Sequence, residues 1–407
     1  MANTFTPTDV YGIVNAMSKE MFGSEQTLQA VDTTTFVSVG EKMLRAGKTN
    51  TLDALSVVLS KTIYVARRYG GRFQIVLKTD EQWGGRVRKI SFYSTKLEES
   101  FNRNTDLNPA ILNDGQSIDH YKINKAYPLE VQFIGEKLME FSDTTWISQL
   151  KAAFRSPEEF GNFVAAKLVR IANDFQIRVD AQNRLQILNA MGATYNVGAE
   201  RSKVNLTQAF NDKFGTSYTT EQLKTEHLAD FMAFFVARLE GDMELMREEN
   251  ELFHIYPARN DDSGNPLTLL RHTEPADRRL ILYAPLLRDE AKHIFPTLFN
   301  TSELRIENFE KVEYWQNPNL SESMKINVKP NQLNVESGEA EDGDAVQLDN
   351  VVGFLFDKDA IYTAVKHESA LTTPVNARGE YYNTFYHWTY NYCLDQTENM
   401  VLYYMAD

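Results

Sequence analysis

The chain is short of cysteine, of net positive charge and of long apolar runs, and each shortage removes a class of protein. One residue of 407, Cys393, is a cysteine, so no disulfide can close within the chain and no multi-cysteine metal site is available. That usage fits a reducing compartment. The formal net charge is −14, the wrong sign for a protein that grips nucleic acid through its bulk field. No uninterrupted apolar stretch approaches the roughly 18 to 20 residues of a bilayer span. The start, MANTFTPTDVYG, has neither the basic opening nor the apolar run of a secretory signal. No membrane is expected, and nothing points outside the cytoplasm. Apolar residues at 43% and charged residues at 24% are ordinary globular usage. The length suits about two to three domains.

Motifs of catalysis and cofactor binding are missing as well. Ala46-Gly47-Lys48-Thr49 ends like a phosphate loop, but that motif needs glycine where Lys42 stands, and Gly40 comes too early. His367-Glu368 opens like a zinc-protease helix and lacks the second histidine on its face. There is no GxSxG elbow, and Cys393 lies in an aromatic strand where a buried, inert thiol is expected. Carboxylates are too numerous in so acidic a chain to nominate a pair for acid and base work. No cofactor is expected, and an enzyme has no residue-level support.

What is present is periodicity. Thr6-Pro7-Thr8-Asp9 followed by Val10, Ile13, Val14, Met17 and Met21 predicts a short helix ended by Gly23. A second begins at Thr51 with Leu52, Leu55, Val58, Leu59 and Ile63; residues 33–50 between them give mixed signals and stay open. Further on the period becomes two. Ile90 and Phe92 alternate with Ser91 and Tyr93, and Leu129, Val131 and Phe133 with Glu130 and Gln132. The polar, turn-rich stretch between these strands makes them an extended arm, which is marginally stable alone and needs support from another subunit.

Ser156-Pro157-Glu158-Glu159 opens a long helix: Ser156 caps, Pro157 suits the first helical position and Glu159 completes a capping box. Phe160, Val164, Leu168, Ile171, Phe175, Val179, Leu185 and Leu188 follow one face, and Gly192 is the expected stop. Such a helix is about 54 Å long, against roughly 55 Å for the diameter of a compact globule of this length. An elongated plate is expected. Leu228, Phe231, Phe235 and Leu239 mark another helix, and Asp277 to Pro285 a buried strand. Helices and strands so mixed indicate an α+β fold. The stretch 335–350, with six acidic residues and no basic one, reads as a solvated loop.

One basic concentration stands out. Arg67, Arg68, Arg72, Arg86, Arg88 and Lys89 are interleaved with Tyr64, Tyr69, Phe73 and Trp83. Charge and stacking of this kind can hold single-stranded nucleic acid. Position at the base of the arm in an acidic chain favours pairing with carboxylates of a neighbour instead, with Trp83, Arg86, Arg88 and Lys89 as the inter-subunit residues.

The C-terminal region carries the most specific signal. Asp357-Lys358-Asp359, Tyr362, then Asn376, Arg378, Gly379, Tyr381, Asn383, Tyr386 and His387 occur in one order, with Gly379 placed for a turn. This series resembles the major capsid proteins of tailed bacteriophages, the short-tailed branch above all, which share the Hong Kong 97-type fold. Ala377 stands where relatives often have proline.

The resemblance implies an N-terminal arm over 1–70, an extended loop over 71–148 and an axial domain over 206–350. The peripheral domain would combine 149–205 with 351–407 around a spine helix at 156–191. It implies a structural subunit that self-assembles as hexamers and pentamers into an icosahedral shell. Its partners would be copies of itself, a portal protein and double-stranded DNA enclosed without sequence-specific binding. The arm begins too near the start to leave room for a fused scaffold, so a separate scaffolding protein is expected. The place would be the virion, after assembly in the host bacterial cytoplasm. An acidic inner wall would repel packaged nucleic acid instead of trapping it. The rival readings are an encapsulin-like compartment and, from another class, a cytosolic α+β enzyme with a dispersed site.

Overall fold

Pro7 occupies the first position of α1 (Pro7–Phe22), where its missing N–H is no loss, and Val10, Val14 and Met17 turn to the core as the spacing predicts. The computed structural model describes residues 7–22, 29–46, 76–78, 87–94, 125–133, 136–149, 156–262, 264–289 and 309–407. Two compact units result, one from 1–85, 134–185 and 362–392, the other from 86–133, 186–361 and 393–407. The second predicted helix, from Thr51, lies outside the described residues, as does Gly23.

In the first unit the open stretch after Asp32 is a helix, α2 (Thr33–Ala46). Its start is fixed reciprocally: Thr35 N–H donates to Asp32 Oδ1 at 2.7 Å and Asp32 N–H to Thr35 Oγ1 at 2.9 Å. Two otherwise orphaned amides are thereby satisfied. Phe36, Val39 and Met43 then reach the core. Asn15 ties α1 to the segment before α2, accepting from Ala30 N–H at 2.6 Å and donating to Ala30 O at 3.0 Å.

These helices share a core with the aromatic strand. That strand, β14 (Tyr381–Leu394), stands in a four-stranded sheet with β1 (Leu77–Lys78), β13 (Ile361–Thr372) and β4 (Glu136–Trp146), in the order β1-β13-β14-β4. Residues 136–146, within the stretch expected to form the extended loop, are an edge strand of this sheet, paired antiparallel with β14 from Tyr381↔Trp146 to Asn391↔Glu136. Tyr382, Tyr386, Trp388 and Tyr390 alternate inward along β14, as a strand of period two requires. They meet the long helix α3 (Pro157–Val197), where the Phe175 ring lies 4.7 Å from Trp388 and 6.1 Å from Tyr390.

Helix α3 has 41 residues and a length of about 60 Å. It begins where predicted, directly after Ser156, and does not stop at Gly192. A Cβ at Gly192 would lie 2.7 Å from Val328 Cγ1 and 3.2 Å from Pro330 Cβ, so this glycine lets another segment approach the helix instead of ending it. The apolar face is also less uniform than its period suggests. Phe160, Ile171, Phe175, Val179 and Leu188 are buried, whereas Leu185 is exposed together with Val169 and Ile177.

The second unit is built on a five-stranded sheet in the order β5-β15-β12-β6-β7. Its strands are β5 (Lys203–Asn205), β6 (Arg278–Tyr283), β7 (Phe309–Val312), β12 (Val351–Asp357) and β15 (Met400–Tyr404). Central β12 is buried throughout, the continuous apolar pattern of a strand covered on both faces. Helices α4 (Leu206–Phe214), α5 (Thr220–Thr225) and α6 (Leu228–Arg247) follow β5. Thr219 and Gln222 form a capping box for α5. Leu228, Phe231, Phe235 and Leu239 of α6 are buried, as their period predicts. Adjacent residues of β15 identify the two sheet faces: Tyr403 OH donates to Asp242 of α6 at 3.0 Å, and the Tyr404 ring meets Tyr195 of α3 at 5.5 Å. Because successive strand side chains point oppositely, α6 and the end of α3 cover opposite faces.

The acidic stretch is ordered, which corrects its reading as a loop. Strands β8 (Ile326–Val328) and β11 (Val346–Leu348) pair, and so do β9 (Asn331–Leu333) and β10 (Ala340–Asp342). They dock on the end of α3: Asn331 N–H donates to Asn189 Oδ1 at 2.7 Å, and Asn196 Nδ2 donates to Asp344 O at 2.9 Å.

Candidate assembly surfaces

Strands β2 (Val87–Phe92) and β3 (Pro128–Phe133), expected at the base of the extended arm, pair antiparallel in register Val87↔Phe133 through Phe92↔Pro128. Lys89, Ser91, Tyr93, Leu129, Val131 and Phe133 therefore share one face, and Arg88, Ile90, Phe92, Glu130 and Gln132 the other. The first face is anchored within the second unit. Tyr93 and Leu129 pack with Leu267 and Leu269, Tyr93 OH donates to Pro257 O at 2.8 Å, and Ser94 N–H to Thr268 O at 2.7 Å.

Lys89 supplies the charge of that anchor. Its ammonium bonds Asp395 Oδ2 at 2.9 Å and Glu398 Oε1. Arg271 adds a bond to Ser91 Oγ at 3.0 Å and approaches Glu398 at 3.3 Å. Burial alone would lower the Lys89 pKa, but the charges of Asp395 and Glu398 outweigh it and hold it above 10.5. Burial raises the Glu398 carboxyl despite Lys89 and Arg271. Lys89, expected to reach a neighbour, is engaged with these two carboxylates of its own chain.

The opposite face of β2 carries Ile90, 49% exposed, and Phe92, 60% exposed. Beside them Arg88 is exposed and lies 3.6 Å from Glu130. The inner face is thus held to its own unit by apolar packing as well as by charge, while the outer face leaves two large apolar side chains uncovered beside Arg88 and Glu130, a mark of an interaction surface. Trp83 and Arg86 lie outside the described residues, along with Arg67, Arg68, Arg72, Tyr64, Tyr69, Phe73 and the arm's tip.

The C-terminal series is divided between the units. Asp357 and Asp359 belong to the second, where Asp359 N–H donates to Asp357 Oδ1 at 2.8 Å and shapes the turn out of β12. Burial raises the Asp357 pKa. Residues Asn376 to His387 belong to the first. Asn376 Oδ1 accepts from the N–H groups of Arg378 at 3.0 Å and Gly379 at 3.1 Å, and Asn376 N–H donates to Tyr381 O at 2.8 Å. The left-handed backbone falls on Glu380, at φ 48°, one residue beyond the glycine expected to supply it. Gly379 is needed for another reason, because a Cβ there would lie 2.5 Å from Tyr381 Cε1. Thr144 Oγ1 donates to Asn383 at 2.8 Å across the sheet. Tyr386 is buried, its phenol raised by desolvation and the nearby Asp143 charge. His387 is half-buried with Nδ1 3.9 Å from Glu140. The motif builds turns and a strand, and its chemistry is that of folding.

Among the described residues no group of three or more His, Cys, Asp or Glu could hold a metal ion, and no helix is long and apolar enough to cross a membrane. Helix α2 runs up to Ala46, where a phosphate loop would need a strand.

The described residues combine mixed helices and sheets, a very long helix packed on an aromatic sheet, and an antiparallel strand pair with two exposed apolar side chains on its outer face. A chain from the capsid structure of Staphylococcus phage Andhra is similar, with a TM-score of 0.52 at 10% identity, covering 83% of this chain and 85% of that one. Its likeness gives the fold, that of Hong Kong 97-type phage capsid proteins. A chain from the capsid structure of the Cyanophage P-SCSP1u reaches a TM-score of 0.41 at 12% identity over 84% of this chain and 89% of that one. No curated protein matches the sequence. The profile of the Phi29-like phage major capsid proteins matches residues 14–404, and the chain belongs to that family. It is a structural protein of the virion that assembles with its own copies into a capsid.

Sequence reasoning missed α2, the partners of Lys89 and the outward turn of Ile90 and Phe92. The Asp32-to-Thr35 spacing is the one signal that could have found α2, and Asp395 with Glu398 directly after the aromatic strand the one for Lys89's partners.

Proposed function

We propose that this chain packs as hexamers and pentamers into an icosahedral shell that encloses double-stranded DNA without reading its sequence. The observation that carries this reading is the hairpin base, fastened by Lys89 and Tyr93 to its own unit while Ile90, Phe92 and Arg88 face away. A neighbouring copy is the natural cover for that face. In this reading 1–70 is the N-terminal arm, 71–148 the extended loop, 149–205 with 351–407 the peripheral domain, and 206–350 the axial domain. Assembly takes place in the host bacterial cytoplasm, with a separate scaffolding protein setting curvature and a portal protein for the DNA. The subunit catalyses nothing.

Sedimentation and electron microscopy of the chain expressed with and without a scaffolding protein test this. Closed particles of uniform size containing nucleic acid are expected only with the scaffold. Uniform shells from the chain alone would remove the scaffold, enzyme cargo in place of nucleic acid would favour a compartment, and small oligomers in both cases would refute the shell. Replacing Arg86→Glu and Arg88→Glu together is expected to lower particle yield about tenfold, since like charges placed at an interface repel. Normal yield would place both arginines outside the interface.

A further inference from the structure

Between α4 and α6 the second unit opens a cleft of about 340 Å³ lined by Arg201, Lys213, Arg238, Phe234, Gly241 and Asp242, among others. Three cations face one carboxylate there. Asp242 is already hydrogen-bonded, accepting from Arg238 Nε at 2.9 Å and Tyr403 OH at 3.0 Å, so one carboxylate, which also feels the Arg201 charge, stands against three cations. Arg201 and Lys213 make no hydrogen bond or ion pair among the described residues, and both are exposed. Lys213 Nζ sits 5.4 Å from the Phe234 ring and 5.5 Å from the Phe214 ring, and Phe214 is 52% exposed at the rim. In a chain of net charge −14, this is a local cationic and aromatic concavity.

The same unit carries its complement elsewhere. In the hairpins packed on the end of α3, Asp342 is paired with Lys329 at 2.9 Å, and Asn334 donates to Glu341 at 2.7 Å. Glu336, Glu339 and Asp344 are exposed, and their carboxylates have no partner among the described residues. The cleft belongs to α6, the hairpins to α3, and Tyr403 and Tyr404 show that these helices cover opposite faces of one sheet. The cleft and the acidic projection thus lie over opposite faces of that sheet. They can meet between copies, head to tail, and a head-to-tail contact of two different patches closes a ring when the rotation allows.

We propose that the cationic cleft between α4 and α6 receives the acidic hairpin around Glu336, Glu339 and Asp344 of an adjacent copy of this chain, as the contact that orders subunits around a capsomer. The proposal rests on the shell reading and deepens it by assigning which surfaces meet. Charge complementarity at such a contact steers encounter and fixes register, and Lys213, exposed beside the Phe234 ring, offers a cation to the incoming carboxylates.

Zero-length carbodiimide cross-linking of intact particles, followed by peptide mass spectrometry, tests it. Cross-links from Lys213 to Glu336, Glu339 or Asp344 are expected, and the sheet between these groups makes them intermolecular. Arg201→Glu with Lys213→Glu should reduce particle yield about tenfold, and adding Glu336→Lys, Glu339→Lys and Asp344→Lys should restore it to within about twofold, as reversal of a charge pair requires. Should the reversal variants melt early, the cross-link decides. Well-formed particles without that cross-link, or with Lys213 joined to another acidic segment, would overturn the contact and leave the shell reading intact. Absence of particles from the unaltered chain with its scaffold would overturn both.

Discussion

Lys89→Met is expected to lower the unfolding free energy of unassembled subunits by about 3 kcal/mol, the low end for breaking a buried ion pair from one side. The low end applies because the Lys89 side chain is 25% exposed and Arg271 stays 3.3 Å from Glu398. The loss is large because the carboxylates left behind are nearly dry, the Asp395 side chain at 1% exposure and Glu398 at 9%. Their desolvation, compensated by the ammonium in the native protein, becomes uncompensated. Adding Asp395→Asn and Glu398→Gln should therefore recover most of the loss, although two more residues have been changed. Denaturant unfolding measures both, and a triple variant no more stable than Lys89→Met would sink the account. The pH dependence has a definite sign. A lysine whose folded pKa is above 10.5 contributes fully below that pH and loses its contribution as pH rises through the folded value. Amide exchange in β2 should accelerate above that point in the native protein, whereas Lys89→Met shows no such step.

The anchor also shows why part of the molecule was legible in the sequence and part was not. Helix α1, the start of α3, the buried face of α6 and strand β6 follow from local chemistry, a proline at the first turn or an unbroken apolar period, and the structure has them. The C-terminal series gave the family because its spacing is specific. Lys89 and Asp395 stand 306 positions apart, and nothing local in either predicts the other. Alternation told that β2 is a strand without telling which side is covered. The inward turn of Ser91 and Tyr93 is decided by Arg271 and Pro257, and the apolar pair Ile90 and Phe92 is left outside. Gly192 has the signature of a helix stop and is a close-approach site, a distinction made only by Val328 and Pro330 across from it. Helix α2 was hidden by its threonines and valines, whose intrinsic preference is for strands, and capping at Asp32 with tertiary burial of Phe36 overrode that preference.

Trp388→Ala should destabilise the first unit by about 3 to 5 kcal/mol, the usual range for emptying a large aromatic site in a core, and lower its melting temperature by roughly 10 °C. Trp388 is 4% exposed, lies 4.7 Å from Phe175 of α3 and stacks 6.1 Å from Tyr386, so its removal opens a cavity between helix and sheet that neither rigid element can close. The other side of the sheet makes a control. Leu138 projects from edge strand β4 with 68% exposure, and Leu138→Ala should change subunit stability by less than about 0.5 kcal/mol. If Leu138→Ala nevertheless reduces particle yield, that face is covered in the shell; if it does not, the aromatic sheet serves the subunit alone. An unchanged melting temperature for Trp388→Ala would mean that α3 and the sheet are not held by their rings. With both results as expected, one sheet divides its labour by the parity of its residues: the even positions of β14 from Tyr382 to Tyr390 hold the subunit together, and the row opposite them remains for its neighbours.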